Sequence, residues 1–206
     1  MSSIFRVMAC LPLLLAACVS GAGFTSSRAA PVLGGAMQVG VPPGYCIDGK
    51  ASRETRNGAV ILMGRCTDAM KAKPALISVS VGQAGSGGVM TAGGPALAAF
   101  FTSAQGRATL SRDGRAKDIK VLEALGSGDA FLLHLQDRTV GEYWRAVISI
   151  KGRLVTVSTT GTAEVPLPPE DGRALLETTL KALRSANAGP DTAVVAAQPG
   201  VAADGA

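Results

Sequence analysis

Residues 143–160 read YWRAVISIKGRLVTVSTT, and no other stretch constrains the fold as tightly. Trp144, Ala146, Ile148 and Ile150 alternate with Tyr143, Arg145, Val147 and Ser149. That period of two belongs to a strand and not to a helix. Lys151-Gly152 supplies a two-residue connection, with glycine available for positive φ, and Arg153 to Thr160 returns. A lone hairpin is marginal in water and needs more strands or a helix over its apolar face. The rest of the chain must supply that cover.

It offers strands on both sides. Tyr45 to Ile47 follows a Pro-Pro-Gly turn, Ala59 to Cys66 follows the turn signal Asn57-Gly58, and a β-branched run starts at Pro74. Ile119, Val121 and Glu123 open another strand. Ala130 to Gln136 sets Phe131, Leu133 and Leu135 on one side and Leu132 and His134 on the other. Two helices are expected. Pro95 to Gln105 starts on proline, carries Leu97, Phe100, Phe101 and Ala104 on one face, and stops at Gly106. The second follows Pro168-Pro169-Glu170-Asp171 with a stripe of Leu175, Leu176, Thr179, Leu180 and Leu183, and its last turn holds Lys181 and Arg184, where cations suit the helix dipole. Glycine-rich GQAGSGGVMTAGG has neither the lysine of a P-loop nor the spacing of a dinucleotide fingerprint, and reads as a mobile loop before the first helix. Runs of strands broken by two helices predict an α+β domain, an antiparallel meander sheet of about six or seven strands covered by two helices.

This order of elements, with the meander RAVISIKGRLVTVSTTG followed by a helix, resembles the Mog1/PsbP-like fold. The resemblance implies a sheet with the last helix laid over it and a protein that acts by binding. Fold alone does not give the function.

The beginning of the chain bears on location. Val7 to Ala17 is an apolar run preceded by Arg6, about half the roughly 20 residues that a membrane-spanning helix requires. This is the layout of a signal peptide. Its last four residues, Leu15-Ala16-Ala17-Cys18, resemble the lipobox of bacterial lipoproteins, in which the cysteine thiol receives a diacylglycerol and the peptide is cut before it. The resemblance implies residues 1–17 as signal peptide, Cys18 as the lipidated residue, and acyl chains as the membrane anchor. Val19 stands where an aspartate would resemble the inner-membrane retention signal. The periplasmic face of the outer membrane is the implied address.

Residues 18–40 and 188–206 are rich in Gly, Ala, Ser or Pro and are expected as a flexible tether and a disordered tail around one domain over 41–187. Of the four cysteines, Cys10 would leave with the signal peptide and Cys18 would carry lipid. Cys46 and Cys66 remain, and export to an oxidising compartment predicts a disulfide between them. A loop of that length is worth roughly 3 kcal/mol by the chain-entropy argument.

Reactive chemistry is sparse. His134 is the single histidine, no serine stands in G-x-S-x-G, and no cluster of metal ligands is visible. No cofactor, metal or catalytic residue is expected. The weak candidates for a binding surface are Tyr143, Arg145 and His134, with Tyr143 facing outward and Trp144 inward. The net charge of +5 falls to +4 without Arg6. Basic residues gather at Lys50, Arg53, Arg56, Arg65, Lys71 and Lys73 and again at Arg107, Arg112, Arg115, Lys117 and Lys120. A solvated face with interspersed Glu and Asp accounts for them; in an envelope the anionic partners on offer are lipid headgroups and polymers and not nucleic acid.

A membrane-anchored, non-catalytic interaction module with an envelope protein as partner is the function expected first. The alternative is a binder of a small or lipidic ligand between the sheet and Phe100/Phe101, and an enzyme using His134 ranks below both. Cys18→Ala is expected to release the protein from the membrane fraction, read by fractionation and immunoblot. Retention of the variant in that fraction would sink the lipid anchor.

Overall fold

The computed structural model describes residues 28–189 and the backbone of Phe24–Thr25. Cys10, Cys18, the signal segment and the tail from residue 190 lie outside the described residues. The strands are β1 (Phe24–Thr25), β2 (Ala29–Val32), β3 (Met37–Gly40), β4 (Tyr45–Asp48), β5 (Arg53–Glu54), β6 (Ala59–Arg65), β7 (Leu76–Ala84), β8 (Ile119–Ser127), β9 (Ala130–Asp137), β10 (Gly141–Ile150) and β11 (Arg153–Thr160). The α-helices are α1 (Gly93–Thr102), α2 (Ala104–Leu110) and α3 (Pro169–Asn187).

The chain folds as α+β. Eight strands form one antiparallel sheet in the order β1-β4-β6-β7-β11-β10-β9-β8, with β5 also paired to β6. The expected meander is present as β8 to β11. Its hairpin turn places Lys151 and Gly152 both at positive φ, 48° and 71°, the pair of angles that matches strand twist. The sheet is larger than the six or seven strands expected, because β7 pairs along β11 from Leu76↔Thr160 to Val81↔Val155 and so joins the two halves of the chain.

Both faces of the sheet carry an apolar core. On one face α3 buries Leu176, Thr179, Leu180 and Leu183 against Trp144, Ile148, Val157 and the odd-numbered residues of β6 and β7. Thr159 Oγ1 donates to the Gly172 carbonyl at 2.8 Å and pins the start of that helix to β11. On the other face Leu97, Phe101 and Leu110 pack on Phe131, Leu133, Leu135, Tyr143 and Val147, with Phe101 stacked on Phe131 at 5.9 Å. The sheet therefore lies between two helical layers.

Five expectations need correction. Among the described residues there are three α-helices and not two, because the expected helix over 95–105 breaks at Ser103. That residue is extended, and its Oγ accepts the Gly106 N–H at 3.0 Å, capping α2. Gly106 does not end a helix; it lies inside α2, where a Cβ would collide with the Phe100 carbonyl. Phe100 is 39% exposed, so only Phe101 of the pair joins the core. The glycine-rich stretch extends β7 and then forms a 3₁₀ segment, Ser86–Ala92, folded onto the hairpin turn. Gly87 N–H donates to the Gly152 carbonyl and Leu154 N–H to Ser86 Oγ. Finally, the second half of the expected tether is structured. β2 and β3 form a separate hairpin whose Met37 and Val39 are fully buried against the α3 core.

That hairpin is locked to α3 by Asn187, whose amide bonds the backbone of Gln38 in both directions at 2.9 and 2.6 Å. Gly40 lies against α3, where any Cβ would collide with the Ala182 carbonyl. Gly40→Ala is expected to cost roughly 1–3 kcal/mol, the range for forced overpacking, measured as a fall in urea midpoint at unchanged m-value.

Candidate functional site

Strand β10 is the centre of the site because its alternate residues face the two layers. Cys46 and Cys66 lie apart from it, across β6, β7 and β11, with Cα atoms 5.2 Å apart and the sulfurs bonded, tying β4 to the segment after β6.

The even-numbered side of β10 belongs to α3. Trp144 pairs with His134 on β9, and the two rings stack at 4.5 Å with an interplanar angle of 1°. His134 Nε2 lies 2.7 Å from Glu142 Oε1, although the carboxylate is off the direction in which that nitrogen forms a hydrogen bond. Glu123 is the register partner of His134 on β8. Arg173, on α3, places its guanidinium carbon 5.4 Å from the centre of the Trp144 ring. This side holds the histidine between an aromatic and a carboxylate, with no serine or cysteine among its partners. It is a stacked brace under α3.

The odd-numbered side carries Tyr143 and Arg145. Tyr143 is buried, contrary to the expectation that it faces outward; the helical layer over this face covers it beside Leu135 and Val147. Burial raises its phenol pKa, Arg145 offsets this in part, and Asp137 adds to the rise, so the hydroxyl stays protonated at neutral pH. Arg145 is half-buried. Its Nε donates to Ser158 Oγ at 2.9 Å, its Nη1 reaches the Leu110 carbonyl at 3.5 Å, and its guanidinium lies 5.4 Å from the Tyr143 ring centre. These residues line an open groove of about 490 Å³ together with Ser78, Ser111, Arg112 and Asp137. His134 is not part of it. The sheet register separates it from Tyr143 and Arg145 by one residue, and so by a whole face.

Beyond the groove, α1 and α2 cover only the β8–β10 half of this face. The other half presents Val60 and Leu62 from β6, Leu76, Ser78 and Ser80 from β7, and Thr156 from β11. Val60 is 41% exposed and Leu76 50% exposed. None of these six side chains is ionisable. Sheet faces open to water ordinarily carry polar and charged residues; here charge enters by register at Arg53 of β5, opposite Val60, at the border of this uncharged row.

Between the sheet and α1, Phe101 packs on Phe131, while Phe100 is 39% exposed. A second groove, of about 740 Å³, runs past Arg28, Pro42, Tyr45, Asp68 and Ser185 between the β2–β3 hairpin and the end of α3. Among the described residues no three His, Cys, Asp or Glu side chains gather as metal ligands, and no helix is long and apolar enough to cross a membrane. Of the basic residues, Lys73 pairs with Asp171, and Arg115 with Asp113 and Asp118. No family model, curated protein or solved structure matches the chain.

Asp118, just before β8, receives Arg115 Nε at 2.6 Å and lies 3.9 Å from Arg138. The Arg115 hydrogen bond, helped by the charges of Arg115, Arg138 and Lys117, holds its carboxyl below the ordinary range against the opposing effect of desolvation. A depressed folded-state pKa gives stability above the unfolded-state pKa, lost as pH falls through the folded value. Asp118→Asn is expected to lower stability at neutral pH and to flatten the loss of stability on acidification. Parallel denaturation curves for variant and parent down to acid pH would refute it.

Proposed function

We propose that the protein is an anchored interaction module of the bacterial envelope, held through Cys18 at the periplasmic face of the outer membrane, and that it binds a protein partner through the uncovered half of its sheet. The observation that carries this reading is the uncharged row of Val60, Leu62, Leu76, Ser78, Ser80 and Thr156 on an exposed face. Aliphatic and hydroxyl side chains lose little on leaving water, whereas ions would carry a desolvation cost into an interface. The occupant that fits is a protein surface that is itself free of charge, apolar at its centre and able to bond hydroxyls. The order of elements, strands then helices then a meander then a helix across the sheet, supports assignment to the Mog1/PsbP-like fold and its binding role. The lipobox at residues 15–18 supports the address.

A photo-crosslinking residue at Ser80, on the open face, is expected to give one defined adduct in cells, and the same residue at Lys181, on α3, none. Leu76→Glu is expected to remove that adduct while leaving the thermal midpoint within about 1 °C, as for most surface substitutions. Equal adducts from both positions, or none from Ser80, would count against the open face as the docking surface.

A further inference from the structure

Five of the described Lys and Arg side chains have carboxylate partners, whereas half-buried Arg107 and Arg153, like Arg145, have none within 4.0 Å. Arg115 and Arg138 meet Asp118, Arg173 meets Glu177, Arg184 meets Asp129, and Lys73 meets Asp171. Arg145 stands in the middle of β10, half-buried, and among the described residues no carboxylate lies within 4.0 Å of its guanidinium. A cation partly removed from water without a counter-charge is costly unless something supplies one.

The surroundings fix where the guanidinium points. Ser158 Oγ takes the Nε hydrogen, and the Leu110 carbonyl takes one from Nη1 at 3.5 Å. Arginine has five such hydrogens in a planar fork, so three remain without a protein acceptor among the described residues. The Tyr143 hydroxyl, protonated and lacking a hydrogen-bond partner among those residues, lines the same groove, as do Ser111 and Arg112. Asp137 is the one carboxylate in the lining. Its Oδ1 is taken up by the backbone N–H groups of Thr139 and Val140, at 2.6 and 3.1 Å. Two cations, a phenolic donor and a serine thus line a space of about 490 Å³, with Asp137 as the one opposing charge.

We propose that this groove is an oxyanion site, binding the carboxylate or phosphate group of a small organic ligand. Arg145 forms the charge-assisted contact, Tyr143 and Ser111 donate hydroxyl hydrogens, and Arg112 adds charge at the mouth. A guanidinium fork matches two oxygens of either group, and such bonds are about twice as strong as neutral ones. The site does not depend on the membrane anchor; it concerns β10 and the end of α2 and shares Ser78 with the uncharged row.

The test titrates the ¹⁵N-labelled full chain with inorganic phosphate and, separately, with acetate, at ionic strength held constant with chloride. Saturable shifts are expected at Arg145, Ser158 and residues 109–112. The two arms tell a tetrahedral from a planar oxyanion, and saturation by either supports the site. Arg145→Gln is expected to weaken binding about tenfold or more. Arg112→Gln, outside the sheet, is expected to weaken it about threefold with an unchanged thermal midpoint. Shifts that do not saturate with either anion overturn the proposal, as does an affinity that Arg145→Gln leaves unchanged. Should Arg145→Gln fail to fold, Arg112→Gln decides alone, and an unchanged affinity there overturns it.

Discussion

The pairing of β7 with β11 is the contact on which the rest of the structure depends. Six residue pairs, from Leu76↔Thr160 to Val81↔Val155, join strands that lie over seventy residues apart in the chain. Without that seam the β4–β6–β7 group and the β8–β11 meander would be two narrow sheets, each with a bare edge. With it, one sheet becomes wide enough for α3 to cross β10 and β11 and to bury its leucine stripe over both halves. The entropy of closing so long a loop rises only slowly with length, so a large helical insertion between β7 and β8 is tolerated.

The seam also decides what remains open. Helices α1 and α2 are too short to span a sheet of this width, ten and seven residues respectively. They cover the meander half and leave β6, β7 and part of β11 uncovered. The boundary between covered and uncovered sheet falls on Arg145 and Ser158. A groove at such a boundary arises because the helical layer stops there, at Leu110, and the next strands carry small side chains, Ser78 and Ser158 among them. The groove at Arg145 and the uncharged row are consequences of the same mismatch between helix length and sheet width.

The two sides of β10 illustrate how register assigns chemistry. Tyr143 and Trp144 are neighbours in sequence, yet one lies under the α1–α2 layer and the other under α3, and both are buried. Arg145 follows Tyr143 into a groove, whereas His134 is drawn into a stack with Trp144. Residues grouped as one surface from their proximity in sequence are thereby divided between two faces.

Sequence alone determined what depends on local periodicity and turn chemistry. The alternation in 143–160 located β10 and β11, Lys151-Gly152 located their turn, the leucine stripe located α3, and the α+β class followed from their order. It named Arg145 only together with Tyr143 and His134, as one surface. Tertiary structure decided the matters that depend on distant partners. The burial of Met37 and Val39 is set by the docking of their hairpin on α3. Tyr143 was expected outside because its strand neighbour was expected inside. That inference holds for a sheet with one wet face and fails when helices pack on both. Whether a strand residue meets water is a property of the layer above it, and no local pattern in the strand carries that information.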